Sequence, residues 1–214
     1  MRLAERDLQL LTFITEREAV PTSVLVAAFF QRHPRTGQAN RDPEHACRRR
    51  LTELEQAGWI VRHGGEHRFV TLATAGARRL QRHPGKPPPL RNAAHHAATV
   101  RAITDVLATI GAGAVLPTVE VRMENAVRQQ RIGKRFVKRG DDLEVLPDAE
   151  ILLRTSDGHV QRIAVEYVSA KYSDEQIREK ARGLAGYDRV CFFADKPSTA
   201  LRVMRLTNAG CPCI

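Results

Sequence analysis

Two carboxylates in the second half of the chain, Asp148 and Glu166, have the setting in which acidic side chains do chemistry. Asp148 follows Pro147 just before an apolar segment, and Glu166 lies inside another, residues 163–168. A carboxylate in an apolar strand is costly to bury unless it is paired, hydrogen-bonded or bound to a metal ion. On adjacent strands, the two acids could share one divalent cation, which would activate water and neutralise charge on a phosphodiester. The structural alternative is that Asp148 caps a turn and Glu166 pairs with an arginine such as Arg162.

The elements that would position these acids are of the α/β class. We predict helices over residues 92–110 and 174–184, and strands over 115–123, 149–154, 162–168 and 189–193. The last helix can act as the crossover between two parallel strands, so a small mixed sheet is expected.

A strongly basic segment, residues 122–140, lies within this half. Its glycines and its lack of an apolar period predict a flexible loop or hairpin. Arg131, Lys134 and Arg135 are its candidate phosphate contacts, and a solvated run of charges is the alternative.

The first half contains a helix with two contrasting faces. Asp42 can cap it, and Pro43 suits its first position, where the missing N–H costs nothing. Cys47, Leu51 and Leu54 recur at helical spacing and make one apolar face. The side chains on or near the opposite face are cationic or hydrogen-bonding: His45, Arg48, Arg49, Thr52 and Gln56.

A basic hairpin follows this helix. Gly58 ends the helix, and residues 59–61 and 68–72 are predicted strands on either side of a tight turn. The cationic side chains in or near this hairpin are Arg62, His63 and Arg68. Another candidate contact, Arg41, lies in the link before the helix. A polar, cationic helix followed by a basic hairpin is typical of a winged helix-turn-helix that binds double-stranded DNA.

Proline marks the predicted domain boundary. Helices are expected over residues 4–18, from Pro21 to Phe29 and over 74–80, after which the successive prolines of residues 83–91 cannot continue a helix. We therefore predict an N-terminal winged helix-turn-helix domain over 1–82, a proline-rich linker over 83–91 and an α/β domain over 92–214.

Composition favours a polyanionic partner. The 214 residues carry a formal net charge of +10 and have a pI near 10.1. No apolar run is long enough to span a bilayer, so we expect a cytoplasmic, nucleoid-associated protein without a membrane partner. The four cysteines, Cys47, Cys191, Cys211 and Cys213, have neither a disulfide nor a zinc spacing, and no cofactor is expected.

Residues 92–196 resemble the PD-(D/E)xK nuclease superfamily in their order of helix, strands, Pro-Asp, acidic strand, helix and strand. Asp148 and Glu166 match the acids of the motif, whereas Val168 stands at the position of its lysine. In this superfamily the lysine is known to migrate, so the resemblance implies that Lys171 or Lys180 takes its role.

Most of the chain is similar to the replication-relaxation family of plasmids and integrative elements, which combines a winged helix with a degraded PD-(D/E)xK-like domain. The matching features are Arg48–Arg49–Arg50–Leu51 with Leu54, Gly58–Trp59, His95, Pro147–Asp148, Val165–Glu166, and Lys180 ahead of Tyr187. This resemblance implies a DNA-binding protein of a mobile element.

Three functional hypotheses follow. The first is a double-stranded-DNA-binding homodimer that regulates transcription or assists plasmid replication or mobilisation. The alternative is a DNA endonuclease that uses Mg²⁺ or Mn²⁺ held by Asp148 and Glu166, with Lys171 or Lys180 as their catalytic partner. The third is an interaction module in which the nuclease-like sheet docks a relaxase or a replication initiator.

Overall fold

The computed structural model describes residues 3–33, 36–110, 119–132, 145–155 and 158–208, with only the backbone described for 129–132. Over these ranges the chain is mixed α/β, with eight α-helices and two small sheets. None of the described helices is both long and apolar enough to cross a membrane.

The described residues fall into two compact units, and the division lies inside the helix α5 (Ala93–Thr109). Residues up to Val100 belong to the first unit, and Arg101–Thr109 belong to the second with the described residues from 119 onward. Residues 83–91, which we predicted as a linker, therefore lie within the first unit.

The first unit packs helices against a three-stranded antiparallel sheet. Its elements before α5 are α1 (Glu5–Arg17), β1 (Val20–Pro21), α2 (Thr22–Phe29), α3 (Pro43–Gln56), β2 (Ile60–Arg62), β3 (Phe69–Leu72), α4 (Thr74–Arg79) and a 3-10 turn (Leu90–Asn92). The strand order is β1-β3-β2, and Ile60 lies opposite Leu72 in the hairpin. Leu10 of α1, Leu25 of α2 and Leu54 of α3 are each fully buried, so all three helices contribute side chains to the interior of this unit.

The second unit contains a four-stranded mixed sheet. Its elements after α5 are β4 (Val119–Met123), α6 (Glu124–Ile132), β5 (Ala149–Arg154), β6 (Val160–Val168), α7 (Asp174–Gly183), β7 (Arg189–Ala194) and α8 (Pro197–Thr207). The strand order is β4-β5-β6-β7, and only β6 and β7 are parallel, with α7 as their crossover. The predicted small mixed sheet is thus confirmed for the described residues.

The register of this sheet brings the two acidic residues together. Ala149 lies opposite Val165 in the antiparallel pair of β5 and β6, so Asp148 and Glu166 follow at the next pair of positions. The structure thus places Asp148 just before β5 and opposite Glu166 of the adjacent strand β6, in the order along the chain that the sequence predicted.

Two helices were not predicted from the sequence. Residues 124–132, which we expected to be part of a loop or hairpin, form α6, where Val127 is buried and Arg128 pairs with Glu124 one turn away. Ala126, Val127 and Ile132 are the apolar residues of this segment and give little helical period, whereas (i, i+4) ion pairs support a polar helix. Pro197 begins α8, which buries Val203. The rest of the predicted loop, residues 133–140, lies outside the described residues.

Candidate functional site

The helix α3 forms as its sequence dictates. The Asp42 side chain accepts a hydrogen bond from the backbone N–H of His45 at 2.8 Å, and Pro43 occupies the first turn. Cys47, Leu51 and Leu54 are buried on one face. Capping and burial together fix which side of α3 faces away from the core.

The polar side of α3 is available to a ligand. His45, Arg48, Arg49 and Gln56 are exposed, whereas Thr52 is half-buried and its hydroxyl donates to the carbonyl oxygen of Arg48 at 2.9 Å. The sequence therefore predicted the exposed face correctly, although the Thr52 hydroxyl is engaged within the helix.

Arg50 has a different role from its two neighbours in the sequence. Its guanidinium donates to the carboxylate of Asp7 on α1 and to that of Glu53. Burial opposes ionisation of Asp7, but the hydrogen bonds from Arg50 and from the backbone of Ala4, together with the charge of Arg50, outweigh it, so the pKa of Asp7 lies below its ordinary value. Arg50 therefore anchors α3 to α1. No sequence pattern indicated Asp7 as its partner.

The β2–β3 hairpin carries cations beside α3, and one of them is already engaged. Glu55 accepts hydrogen bonds from the backbone N–H of Arg62 at 2.9 Å and from its Nε at 2.7 Å. His63 Nε2 lies 2.9 Å from the hydroxyl of Thr71, whereas the Arg68 side chain is exposed. The sequence predicted Arg62 as a DNA contact, but the structure also makes it the link between the hairpin and α3.

A groove of about 630 Å³ lies between α2, α3 and the hairpin. Arg48, Arg62 and Arg68 line it together with the carboxylates of Glu44 and Glu55. Arginines from α3 and from the hairpin therefore face the same concave surface.

Four predicted DNA contacts on α3 do not line this groove: His45, Arg49, Thr52 and Gln56. Four more predicted contacts lie outside α3 and the hairpin. Arg41 is exposed in the link before α3. The side chain of Arg131 and the whole of Lys134 and Arg135 lie outside the described residues.

The second unit holds the predicted acidic site. The Oε1 atom of Glu166 lies 2.6 Å from Nζ of Lys180 on α7, and its Oε2 accepts a hydrogen bond from the backbone N–H of Asp148 at 3.3 Å. The carboxylate of Asp148 accepts one from the backbone N–H of Tyr167 at 2.8 Å. Asp148, Glu166 and Lys180 therefore form one cluster, which we call the acidic cluster.

Of the two candidate lysines, the acidic cluster includes Lys180. Lys171 is exposed beyond the end of β6, and Val168 is buried. Burial lowers the pKa of Lys180, but the charges of Glu166 and Asp148 and the hydrogen bond to Glu166 together outweigh it, so the pKa lies above its ordinary value. Tyr172, which sequence reasoning missed, is half-buried and interacts electrostatically with Lys180.

The suggestion that Glu166 pairs with Arg162 is wrong. Arg162 instead donates to Glu150 at 3.0 Å and stacks over Tyr187 at 4.6 Å. Residues alternate in direction along a strand, which places Arg162 and Glu166 on the same face of β6 but four residues apart. Lys180 reaches Glu166 because α7 crosses back over the sheet between β6 and β7.

The acidic cluster does not fit a divalent cation well. Mg²⁺ and Mn²⁺ are held by carboxylate oxygens and water. Here one oxygen of Glu166 contacts an ammonium, and the other accepts a backbone hydrogen bond. Within the described ranges, no group of three or more His, Cys, Asp or Glu side chains is placed to hold a metal ion.

The described cysteines do not show reactive features. Cys47 is buried in α3, and burial raises the pKa of its thiol to about 12. Burial also raises the pKa of Cys191. Cys211 and Cys213 lie outside the described residues.

No protein-family model matches this chain, and neither a curated protein nor a solved structure matches it. Any functional proposal therefore depends on the sequence and geometry of the chain itself.

Proposed function

We propose that the chain is a double-stranded-DNA-binding protein whose first unit is a winged helix-turn-helix. The observation that carries this proposal is the two-sided character of α3. Its apolar face is buried, while Arg48 and Arg49 point away from the core beside a basic hairpin. An α-helix fits the major groove, and arginine binds guanine edges and phosphates in a forked geometry.

The proposed contacts divide by the part of DNA they would meet. Arg48 and Arg49 bind base edges or phosphates in the major groove, and Gln56 lies farther along the same helix. Arg68 and His63 bind the backbone or the minor groove from the hairpin. The net charge of +10 supports a large electrostatic contribution, so affinity falls steeply as salt concentration rises.

The biological setting is proposed from the sequence resemblance. A winged helix followed by an α/β unit with Asp148, Glu166 and Lys180 resembles the replication-relaxation family. We therefore propose a regulator of mobile-element genes, or an accessory factor in plasmid replication or mobilisation that contacts a relaxase or a replication initiator. A homodimer would read two half-sites, and sedimentation equilibrium of the full chain with and without a selected duplex tests this.

The first experiment is selection of bound sequences from a pool of random duplexes, followed by anisotropy titration of the selected duplex. Arg49→Ala is expected to cost about 1–3 kcal/mol of binding free energy if Arg49 reads a base. Arg78→Ala, which removes an exposed arginine from α4, is the matched control and should bind as the wild type does. Equal binding by Arg49→Ala would show that the assigned face of α3 is wrong. The absence of any enriched sequence would contradict specific DNA binding.

The endonuclease remains a separate hypothesis with its own assay. It requires nicking of supercoiled DNA that depends on Mg²⁺ or Mn²⁺ and disappears in Asp148→Asn and Glu166→Gln proteins. The engagement of Glu166 by Lys180 favours binding without cleavage as the outcome.

A further inference from the structure

The acidic cluster already contains a cation supplied by the chain. We propose that the ammonium of Lys180 is the resident cation of the acidic cluster, and that Asp148 and Glu166 bind a divalent cation only when this lysine is removed. This inference concerns the second unit and does not rest on DNA binding by the first.

The geometry places the lysine where a metal ion would have to bind. The Glu166 side chain has no exposed surface, and Oε1 is 2.6 Å from Nζ of Lys180. The side chain of Lys180 is itself only 25% exposed. A cation that binds Oε1 of Glu166 would therefore have to displace the ammonium first.

Hydrogen bonds within the sheet occupy other carboxylate oxygens. Oε2 of Glu166 accepts from the backbone N–H of Asp148, and Oδ2 of Asp148 accepts from that of Tyr167. These donors belong to β6 and to the residue preceding β5, so they hold the two carboxylates in place whether or not Lys180 is present. We therefore expect the two carboxylates to keep their positions when Lys180 is replaced.

Electrostatics favours the lysine as occupant. Burial disfavours the ammonium, whereas the charges of Glu166 and Asp148, with the contact to Oε1 at 2.6 Å, stabilise it. A divalent ion would have to lose part of its hydration and also expel a paired ammonium, and both steps are unfavourable. Replacing Lys180 by a neutral side chain removes the second cost and takes a positive charge away from the two carboxylates.

The test is electron paramagnetic resonance of equimolar Mn²⁺ mixed with the full-length protein, in which bound Mn²⁺ loses the sharp signal of the free ion. The wild type should leave the signal as it is in buffer. Lys180→Met should deplete it by up to one equivalent, and Lys180→Met with Asp148→Asn should restore it. Lys171→Met removes the same charge from an exposed site and should behave as the wild type does.

The wild-type measurement decides the proposal even if a variant fails to fold. Stoichiometric Mn²⁺ binding by the wild type, abolished by Asp148→Asn, would show that Lys180 does not exclude the metal. Circular dichroism checks the fold of each variant. If Lys180→Met is unfolded, Lys180→Gln retains a hydrogen-bond donor to Glu166 and takes its place. A folded Lys180 variant that binds no Mn²⁺ would overturn the latent metal site.

Discussion

The guanidinium of Arg50 on α3 holds the carboxylate of Asp7 on α1 through two hydrogen bonds. Nε donates to Oδ1 at 2.8 Å, and Nη2 donates to Oδ2. Asp7 is almost fully buried, and 43 residues separate the pair in sequence. Two parallel hydrogen bonds fix orientation as well as distance, so this pair sets the rotation of α3 about its axis. That rotation determines which way the neighbouring Arg49 points.

We predict that Asp7→Asn lowers the free energy of unfolding by about 2–4 kcal/mol, because it removes the more deeply buried of the two carboxylates that pair with Arg50. Urea unfolding followed by circular dichroism at neutral pH measures this loss. Glu5→Gln is the control, since it removes an exposed carboxylate from the same helix. A loss as small as that of the control would show that the pair does not stabilise the unit.

The same pair gives a pH dependence. The pKa of Asp7 is lowered in the folded protein, so the folded state binds a proton less readily than the unfolded state. The stability from this group is therefore present above the unfolded pKa of about 4 and is lost as pH falls through the lower folded value. Unfolding free energies of the wild type and Asp7→Asn should accordingly converge below about pH 4. A constant difference between them down to pH 2 would contradict the assignment.

Glu55 and Arg62 yield a prediction about DNA affinity. Glu55→Gln releases Arg62 and removes a negative charge from the groove, so we expect tighter binding of the selected duplex. Both side chains are about one-third exposed, so stability should change by less than about 1 kcal/mol. Glu44→Gln removes a charge from the same groove without freeing Arg62. Anisotropy titrations should therefore show a smaller gain in affinity for the duplex with Glu44→Gln than with Glu55→Gln. Weaker binding by Glu55→Gln would mean that the ion pair positions Arg62 for DNA.

Local signals in the sequence predicted much of the fold. Asp42, Pro43 and Gly58 gave the bounds of α3 to within a residue or two, because caps and helix stops act on the adjacent backbone. The strand β5 was predicted at Ala149–Arg154, where the structure has it. In contrast, α6 was missed because its residues are mostly polar and only Val127 was found buried among those whose side chains are described.

The partners of charged residues could not be derived from local pattern. Lys180 was a candidate for the acidic cluster only through family resemblance. It is 14 positions from Glu166 in sequence, and this spacing does not show that α7 folds back over the sheet and brings the two side chains together. Asp7 and Arg50 meet only once α1 packs on α3. Contacts of this kind depend on tertiary packing, which capping and periodicity do not encode.

Gly76 provides a test of packing in the first unit. A Cβ atom at this position of α4 would lie 2.3 Å from the carbonyl oxygen of Trp59, which is backbone and cannot rotate away. Gly76→Ala should therefore destabilise the protein by about 1–3 kcal/mol, despite the higher helix propensity of alanine. Gly64→Ala is the control, because a Cβ atom at Gly64 would have no described atom within 4 Å. Thermal unfolding of both variants measures the difference, and a stabilised Gly76→Ala protein would contradict this close approach.

Arg17 at the end of α1 is expected to cost stability. Its guanidinium is fully buried over the ring of Phe13 at 3.6 Å, and Nε and Nη2 have no hydrogen-bond partner among the described residues. Burial lowers its pKa to about 10, below the unfolded value, so the penalty is complete at pH 7 and shrinks as pH rises above about 10.

Arg17→Met keeps an apolar stem without the charge and should raise the free energy of unfolding at pH 7 by about 1–3 kcal/mol in urea denaturation. Arg79→Met, which removes an exposed guanidinium from the ring of Trp59, should not stabilise the protein. If Arg17→Met is instead less stable than the wild type, the attraction between the cation and the Phe13 ring, with the contact to Glu16, outweighs the cost of burying two unpaired nitrogens.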